Sequence, residues 1–373
     1  MGSLRSFLLS GQGWPYLLTP FIPLAVIFDV LDVSAVLVFF TSAAGVIPTA
    51  ALMGRATEEL AERSGPGIGG LLNVTFGNAP ELIIALVALG AGLDEVVKAS
   101  LVGSILGNIL LVMGAAMAAG GARFKRQTFN PTAASAQSSM LLLAGMAFTL
   151  PAVYVLVHGG SLPTPGAESI NFSGRVEGLS YAIAGVLALT YVASLFFSLR
   201  THRGLFNPVD ESDPPAAGEE PWSVRRSVLM LALAGGAVAG MSEILVHSIS
   251  AAAKSVGLTQ FFIGAIVVAI VGNAAEHWVA VLVAVKNKMD LAINIAIGSS
   301  AQIALLVMPI LVLVSSFIGP HPMALVLNGF ELSALLLAVI IAIVVTHEGE
   351  STWFEGVILL STYVVLALAF AFA

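Results

Sequence analysis

The sequence contains no cysteine and few charged residues. Only 10% of its 373 residues are Asp, Glu, Lys or Arg, whereas soluble domains carry about 25%. Without cysteine, disulfides, thiolate metal sites and thiol redox chemistry are excluded. The 15 basic residues are scattered over short loops, so no nucleic acid is predicted as a partner. The sequence also lacks a nucleotide-binding loop, which argues against an ATP-driven pump.

Long apolar segments fill most of the chain instead. Apolar residues make up 58% of the sequence, and a helix needs about 20 of them to cross a hydrocarbon core of about 30 Å. The sequence therefore predicts an all-α integral membrane protein with about 11 transmembrane helices. The predicted spans are 14–31, 34–54, 68–91, 96–119, 131–157, 176–199, 225–250, 259–285, 290–315, 323–346 and 352–373.

The Lys and Arg residues are divided unequally between the two sides of this topology. With the N-terminus in the cytoplasm, only Lys98, Arg175 and Lys254 of the 15 basic residues fall outside. Cytoplasmic loops carry an excess of Lys and Arg, so we expect a cytoplasmic N-terminus and, after 11 spans, an external C-terminus. The short chain without long tails favours a prokaryotic inner membrane, with a vacuolar membrane as the second choice.

A motif that ends in glutamate occurs twice. Gly77-Asn78-Ala79-Pro80-Glu81 recurs as Gly272-Asn273-Ala274-Ala275-Glu276, and Gly103-Ser104 recurs as Gly298-Ser299, both at an offset of 195 residues. Two motifs with one offset indicate a duplicated unit. Each copy holds five spans, so the second copy enters the membrane from the opposite side. Inverted repeats of this kind are typical of secondary transporters, whose substrate sites lie at the repeat interface.

The repeats and their connector divide the chain into four parts. We predict an extra N-terminal helix at 1–33, five-helix repeats at 34–200 and 225–373, and an acidic cytoplasmic linker at 201–224. The linker carries five acidic residues and the pair Pro214-Pro215, which is typical of a flexible connector. A cation-sensing role for it is the alternative.

Glu81 and Glu276 are predicted to lie deep in the membrane. A charge near the bilayer centre costs at least about 2.5–3.5 kcal/mol, and no Lys or Arg lies at matching depth to pair with either glutamate. Two facing carboxylates repel each other unless a cation or protons lie between them. Because burial favours the protonated carboxyl form, protons and a divalent cation can compete for this pair.

Neutral oxygen donors surround the two glutamates in sequence. Pro80 has no N–H, so it leaves the carbonyl of Phe76 without its helical partner, and Asn78 is expected to cap the helix that restarts there. Hard cations such as Ca²⁺ take 6–8 oxygen ligands. The predicted Ca²⁺/H⁺ site comprises Glu81, Glu276, Asn78, Asn273, Ser104, Ser299, Gln302 and Asn108, with Phe76, Gly77 and Gly272 as backbone oxygen candidates.

Three further residues are proton-relay candidates. His277 follows Glu276 directly, and Glu243 and His247 lie one turn apart on span 225–250. For His277 simple packing is the alternative, and for the other two a satisfied buried pair. Ser104 and Ser299 could equally bond back to their own helices, and Gln302 and Asn108 could link helices rather than bind an ion.

These motifs resemble one known family. Ala56-Thr57-Glu58-Glu59-Leu60-Ala61 and the two glutamate motifs, with Gly103-Ser104-Ile105-Leu106-Gly107-Asn108 and Ile297-Gly298-Ser299-Ser300-Ala301-Gln302, resemble the Ca²⁺/H⁺ exchanger branch of the calcium/cation antiporter superfamily. The resemblance covers roughly 34–373. It implies two inverted five-helix repeats with Glu81 and Glu276 as carriers of the ion and protons. The repeats differ at two places, since Gly107 matches Gln302 and Pro80 matches Ala275.

The predicted function is a secondary antiporter, not an enzyme, that exchanges cytosolic Ca²⁺ for H⁺ by alternating access. Ca²⁺ is the transported substrate, no cofactor is predicted, and the partners are the two ions and the lipid bilayer, with a homo-oligomer left open. The nearest alternative is a Na⁺-coupled exchanger of the same fold, and a cation channel is the more distant one.

Overall fold

A computed structural model describes residues 13–64, 69, 71–72, 75–166, 172–202 and 222–373. The described residues contain eleven apolar helices, of which nine are long enough to cross a membrane and two are shorter. They are α1 (Trp14–Val30), α2 (Ala35–Arg63), α3 (Ala79–Gly90), α4 (Asp94–Arg123), α5 (Pro131–Val157), α6 (Gly174–Thr201), α7 (Val224–Val256), α8 (Gln260–Val285), α9 (Met289–Val314), α10 (Gly329–Thr346) and α11 (Trp353–Ala371). Two short strands, β1 (Gln127–Thr128) and β2 (Glu350–Ser351), pair antiparallel.

Each of the eleven predicted spans corresponds to one of these helices, so the predicted fold class is confirmed. Two helix starts differ from the prediction. The helix α10 begins at Gly329 rather than 323, because Asn328 and Glu331 form a reciprocal capping box there. The predicted span 68–91 is interrupted: described residues 69, 71–72 and 75–76 are helical, residues 77–78 form a turn, and α3 begins at Ala79 inside the glutamate motif.

Helix packing follows the inverted repeat, in which α2–α6 correspond to α7–α11. The first helices of the two repeats, α2 and α7, pack along each other, and so do the equivalent pair α5 and α10. The contact of α4 with α11 is matched by the contact of α9 with α6. The equivalent helices α4 and α9 are the two most buried long helices and form the centre of the bundle.

Small residues allow the central helices to approach closely. A β-carbon on Gly103 of α4 would overlap the carbonyl group of Ala265 in α8, and one on Gly356 of α11 would overlap the backbone of Ala118 in α4. In lipid, helices associate through such backbone proximity rather than through the hydrophobic effect. These glycines therefore fix how closely the two repeats approach each other.

Both central helices contain a π-helical segment at equivalent positions. Gly107–Val112 of α4 and Ile303–Val307 of α9 are π-helical, and each follows its Gly-Ser motif by a few residues. Two further π-helical segments are Ile263–Val268, which precedes the glutamate motif of α8, and Phe197–Thr201 at the end of α6. Such segments are rare and are frequent at functional sites, and the hydropathy pattern gave no sign of them.

The loops at one end of the bundle meet on a single face, which we call the basic face. The Gln127 amide donates to the Ala284 carbonyl (2.8 Å) and to Asn287 Oδ1 (3.1 Å). Arg126 pairs with Glu350 at 3.0 Å beside the β1–β2 pair. The connections 124–130, 286–288 and 347–352, all predicted to be cytoplasmic, thus lie together.

The opposite face gathers the connections that were predicted to be external. The Lys98 ammonium donates to the Val326 carbonyl (3.1 Å), and Glu95 accepts a hydrogen bond from the Gly166 N–H (2.6 Å). The backbone N–H of Leu325 donates to the Ser180 hydroxyl (2.9 Å). The predicted grouping of loops into two faces is therefore present in the fold.

Candidate ion site

The two motif glutamates face each other across the repeat interface. Glu81 lies in the first turn of α3 and is only 6% exposed. A β-carbon on Gly272 of α8 would lie 3.6 Å from Cγ of Glu81 and 3.7 Å from its Oε1, and the carboxyl groups of Glu81 and Glu276 are close enough to interact electrostatically. The bare backbone at Gly272 therefore gives the Glu81 side chain room beside the helix that carries Glu276.

Two hydrogen bonds tie the predicted donors to each other. The Asn273 amide donates to the Ser104 hydroxyl across the repeats, at 3.0 Å. The Ser299 hydroxyl donates to Oε2 of Glu276 at 3.1 Å. Four of the predicted ligands are thus joined in pairs, each pair linking a glutamate-motif residue of α8 to a serine of a central helix.

Buried polar atoms without a hydrogen-bond partner among the described residues lie on the same helices. Buried polar groups in native proteins are nearly always paired, so these atoms indicate a site that is completed by water or an ion. They are both side-chain polar atoms of Asn78, Oε2 of Glu81, Nδ2 of Asn108, Oδ1 of Asn273, Nε2 of His277 and Nε2 of Gln302.

The first repeat has an interrupted motif helix, but Asn78 does not cap it. Residues Gly77 and Asn78 form a turn, and α3 begins directly after them with Pro80 in its first turn. The predicted capping by the Asn78 side chain is wrong: its backbone lies at φ −101° and ψ 27°, whereas a side-chain cap needs extended backbone. The Asn78 amide is therefore left for other partners.

The second repeat has no such interruption. The helix α8 runs continuously through Gly272 and Glu276, so the Gly272 carbonyl lies within a regular hydrogen-bonded helix. Phe76 and Gly77 precede the start of α3 and remain the backbone oxygen candidates that a local break supports. Gly272 contributes space for Glu81 rather than an open carbonyl.

Glu243 and His247 lie elsewhere. Both side chains are exposed on the surface of α7, so the expectation of a satisfied buried pair is wrong. The buried face of α7 carries Val238, Ser242 and Leu245, which pack toward the bundle, and a residue one position along a helix points about 100° away. The proton-relay role stays a prediction, and these positions give it no support.

Two features of the site were not predicted. His277 Cε1 lies 3.9 Å from where a β-carbon on Gly107 would be, so the histidine occupies space that the glycine of the other repeat leaves open. Glu58 of α2 is close enough to Glu276 to interact electrostatically. The difference between Gly107 and Gln302 at equivalent positions could have indicated the space that His277 occupies. Nothing in the motif spacing indicated that Glu58 lies near Glu276.

Most of the predicted acidic linker lies outside the described residues. Residues 203–221, which include all five of its acidic side chains, lie outside the described residues. The backbone N–H of Trp222, just after them, donates to Oε2 of Glu59 at 2.8 Å. The division of the chain at 34–200 and 225–373 stays a prediction.

An inverted-repeat bundle with two facing carboxylates at its centre defines a class of membrane transporter, and comparison identifies the family. A family model described as sodium/calcium exchanger protein matches residues 34–200 and 226–372. The chain therefore belongs to the sodium/calcium exchanger protein family.

Individual relatives place it more closely. The Ca²⁺/H⁺ antiporter ChaA of Bacillus subtilis is 44% identical over 350 residues, which cover 94% of this chain and 96% of that protein. A Ca²⁺/H⁺ antiporter of Synechocystis is 45% identical, covering 90% and 91%. The solved structure of native YfkE has a TM-score of 0.79 at 39% identity, covering 96% of this chain and all of that one. The predicted resemblance to the Ca²⁺/H⁺ exchanger branch is confirmed.

Proposed function

We propose that this protein exchanges Ca²⁺ for H⁺ across a membrane by alternating access. The observation that carries the proposal is the meeting of Glu81 and Glu276, one from each inverted repeat, at a buried interface. The relatives named Ca²⁺/H⁺ antiporters, at up to 45% identity over most of the chain, support the same activity.

The donor set suits a hard divalent cation. Carboxylate, amide, hydroxyl and carbonyl oxygens are the ligands that Ca²⁺ prefers. Glu81 and Glu276 supply the charge, and the unpartnered Oδ1 of Asn273 supplies a neutral oxygen beside them. Asn78 presents a further side-chain oxygen without a partner among the described residues. The unpartnered atoms of Gln302 and Asn108 are amide nitrogens, which donate hydrogen bonds to water or a carboxylate rather than bind a cation. Ser104 and Ser299 orient Asn273 and Glu276, respectively.

Exchange follows from the need to neutralise the pair. Two carboxylates in an apolar interior repel each other, and a charged site is costly to carry through lipid. Ca²⁺ bound between Glu81 and Glu276 neutralises both, and protons on the two carboxyl groups do so equally well. Only these two neutral forms pass readily between the inward-facing and outward-facing states, so one ion moves in exchange for the other. His277, with Nε2 buried and without a partner among the described residues, is the candidate to pass protons to Glu276.

The direction of transport rests on the orientation in the membrane. The basic face is the cytoplasmic one by the positive-inside rule, which sets the N-terminus in the cytoplasm and the C-terminus outside. Ca²⁺ then reaches the site from the cytosol, and protons from the other side displace it. A proton gradient across a prokaryotic inner membrane would drive Ca²⁺ out of the cell.

The test is ⁴⁵Ca²⁺ uptake by proteoliposomes that contain the purified protein. Ca²⁺ uptake is expected to need an outward-directed H⁺ gradient and to be unaffected by Na⁺. Without Ca²⁺, no H⁺ release that acidifies the outer medium is expected. Uptake that requires Na⁺ and ignores pH would indicate the Na⁺-coupled alternative. Flux without any counter-gradient would indicate a channel, and either result would overturn the proposal.

A further inference from the structure

A cluster of charged side chains lies on the face opposite the basic face, outside the ion-site motifs. His321 Nδ1 is 3.2 Å from Oδ2 of Asp94. Lys98, one turn along α4 from Asp94, is 8% exposed, and Glu331 of α10 is 2% exposed. Asp94, Lys98 and Glu331 are buried, and His321 is partly exposed. Burying ionisable side chains is costly unless they interact with one another, and none of the four has a part in the ion site.

The inverted repeat shows that packing alone does not require these charges. At the 195-residue offset, Asp94 corresponds to Met289 and Lys98 to Ile293, and both of the latter are buried apolar side chains. Glu331 corresponds to Ala136. Apolar residues thus fill three of these positions on the basic face, whereas His321 corresponds to Arg126, which pairs with Glu350 there. Each face therefore carries a charged contact, but the buried charges of Asp94, Lys98 and Glu331 have no counterpart on the basic face.

The cluster joins the two repeats, which would have to move apart for this face to open. His321 belongs to the connection between α9 and α10 of the second repeat, whereas Asp94 begins α4 of the first. In the same connection, a β-carbon on Gly319 would lie 2.6 Å from the carbonyl oxygen of Leu89, near the end of α3. Because α3 carries Glu81, the connection packs directly on the helix that bears one of the two motif carboxyl groups.

The cluster contains more carboxylates than ammonium groups, so an added proton would bring its charge closer to balance. The carboxylates of Asp94, Glu95 and Glu331 interact with the single ammonium group of Lys98, and Asp94 also interacts with His321. Oδ1 of Asp94 and Oε1 of Glu331 are buried without a hydrogen-bond partner among the described residues. Histidine is the side chain that can gain a proton and become a cation, and His321 is the histidine that contacts this cluster.

We propose that His321 is a proton-binding site on the extracytoplasmic face and that its protonated form closes this face by pairing with Asp94. The side assignment rests on the proposed function and orientation, whereas the pairing rests on the contact itself. Protons outside would then act twice: they neutralise the glutamates, and they favour closure behind them. The carrier would thus return inward most readily when the exterior is acidic.

Cysteine labelling tests the closure directly, because the chain has no cysteine of its own. Ala88, buried near the end of α3 beneath this connection, is replaced by cysteine, and a membrane-impermeant maleimide is added to proteoliposomes. Labelling should slow about fivefold between pH 8 and pH 5.5, the effect of one partly exposed ion pair. A Ser161→Cys protein, with an exposed site on the same face, corrects for the pH dependence of the thiol and reports which side is labelled.

Three variants of the Ala88→Cys protein decide the outcome. His321→Gln should label fast at both pH values, and His321→Lys, permanently charged, should label slowly at both. His158→Gln, on the same face but with Nδ1 against the Tyr154 carbonyl, should behave as the parent. Equal pH profiles for the parent and His321→Gln would overturn the proposal even if Ca²⁺/H⁺ exchange is normal. Failure of exchange with the expected labelling would instead overturn only the proposed function.

Discussion

The two glutamate motifs carry nearly the same sequence but have different backbones. In the first repeat, Gly77 and Asn78 form a turn and α3 begins two residues before Glu81. In the second, α8 passes through Glu276 without interruption. Pro80 stands in the first turn of α3 where Ala275 stands in α8, and proline is tolerated at the start of a helix but not in its interior. A single substitution therefore gives one repeat an open backbone beside its carboxylate.

A second difference concerns the side chains around the carboxylates. Gly107 in α4 occupies the position of Gln302 in α9, and His277 in α8 occupies the position of Leu82 in α3. The imidazole of His277 lies beside Gly107. The site is thus built from two equivalent frameworks whose donors differ, which gives a cation two chemically distinct sides.

Removing either motif carboxylate should have the largest effect on coupled exchange. Glu81→Gln and Glu276→Gln should each lower coupled exchange by at least about 100-fold, or about 2.7 kcal/mol, since one remaining carboxylate cannot neutralise Ca²⁺. Both variants should fold, because glutamine is nearly isosteric. Uptake of ⁴⁵Ca²⁺ under a pH gradient measures the effect.

Glu348→Gln is the matched control, because Glu348 is an exposed glutamate on the basic face, and it should exchange normally. If either site variant kept near-normal exchange, the two-carboxylate mechanism would be wrong. A difference between the two variants in residual Ca²⁺ binding would show how unequally the repeats share the ion.

Exchanging the backbone character of the repeats should have the next largest effect. Ala275→Pro places proline inside α8, where it costs about 3 kcal/mol or more, and we expect exchange to fall about 30-fold. Pro80→Ala acts on a helix start, where proline costs little, and should raise the KM for Ca²⁺ only about threefold. Thermal unfolding in detergent separates misfolding from a local effect; equal losses in the two variants would contradict the asymmetry.

Much of this architecture follows from the sequence, and the reasons are physical. Eleven apolar segments are predictable because a lipid-spanning backbone must be a helix or a closed barrel, and runs of about 20 apolar residues have the length of a helix. The shared offset of the motifs predicted that Glu81 and Glu276 meet, since inverted repeats place equivalent residues at one interface.

The contacts between side chains were less predictable. The Asn273–Ser104 hydrogen bond depends on how α4 and α8 cross, which no periodicity specifies. The exposed position of Glu243 was missed because hydropathy locates a span but does not tell which face of it is buried. The π-helical segments have no hydropathy signal, and the pairing of His321 with Asp94 joins residues far apart in the chain.

The side chains that differ between the two repeats at equivalent positions can be exchanged by mutation to test how they fit together. Gly107→Ala should be tolerated, since a β-carbon there meets His277 at 3.9 Å. Gly107→Gln, which copies the second repeat, should collide with His277 and lower exchange about tenfold, as overpacking typically costs 1–3 kcal/mol. Adding His277→Leu, which copies the first repeat, should restore part of the loss. Exchange rates of the three proteins test this, and no rescue in the double variant would mean that His277 itself is needed for proton transfer.

The smallest expected effect distinguishes the two serines at equivalent positions. Ser299 donates to the Glu276 carboxylate, whereas Ser104 accepts from the neutral Asn273 amide. A hydrogen bond to a charged group is worth more than one between neutral groups, so Ser299→Ala should raise the KM for Ca²⁺ about fivefold and Ser104→Ala about twofold. The Ser299 bond stabilises the charged carboxylate, the form that binds Ca²⁺, so its loss favours protons. The KM defect of Ser299→Ala should therefore be greater at mildly acidic than at alkaline pH, while that of Ser104→Ala should change little. Titrations of uptake against Ca²⁺ at both pH values measure this, and identical pH responses would mean that the repeats contribute equivalently to proton competition.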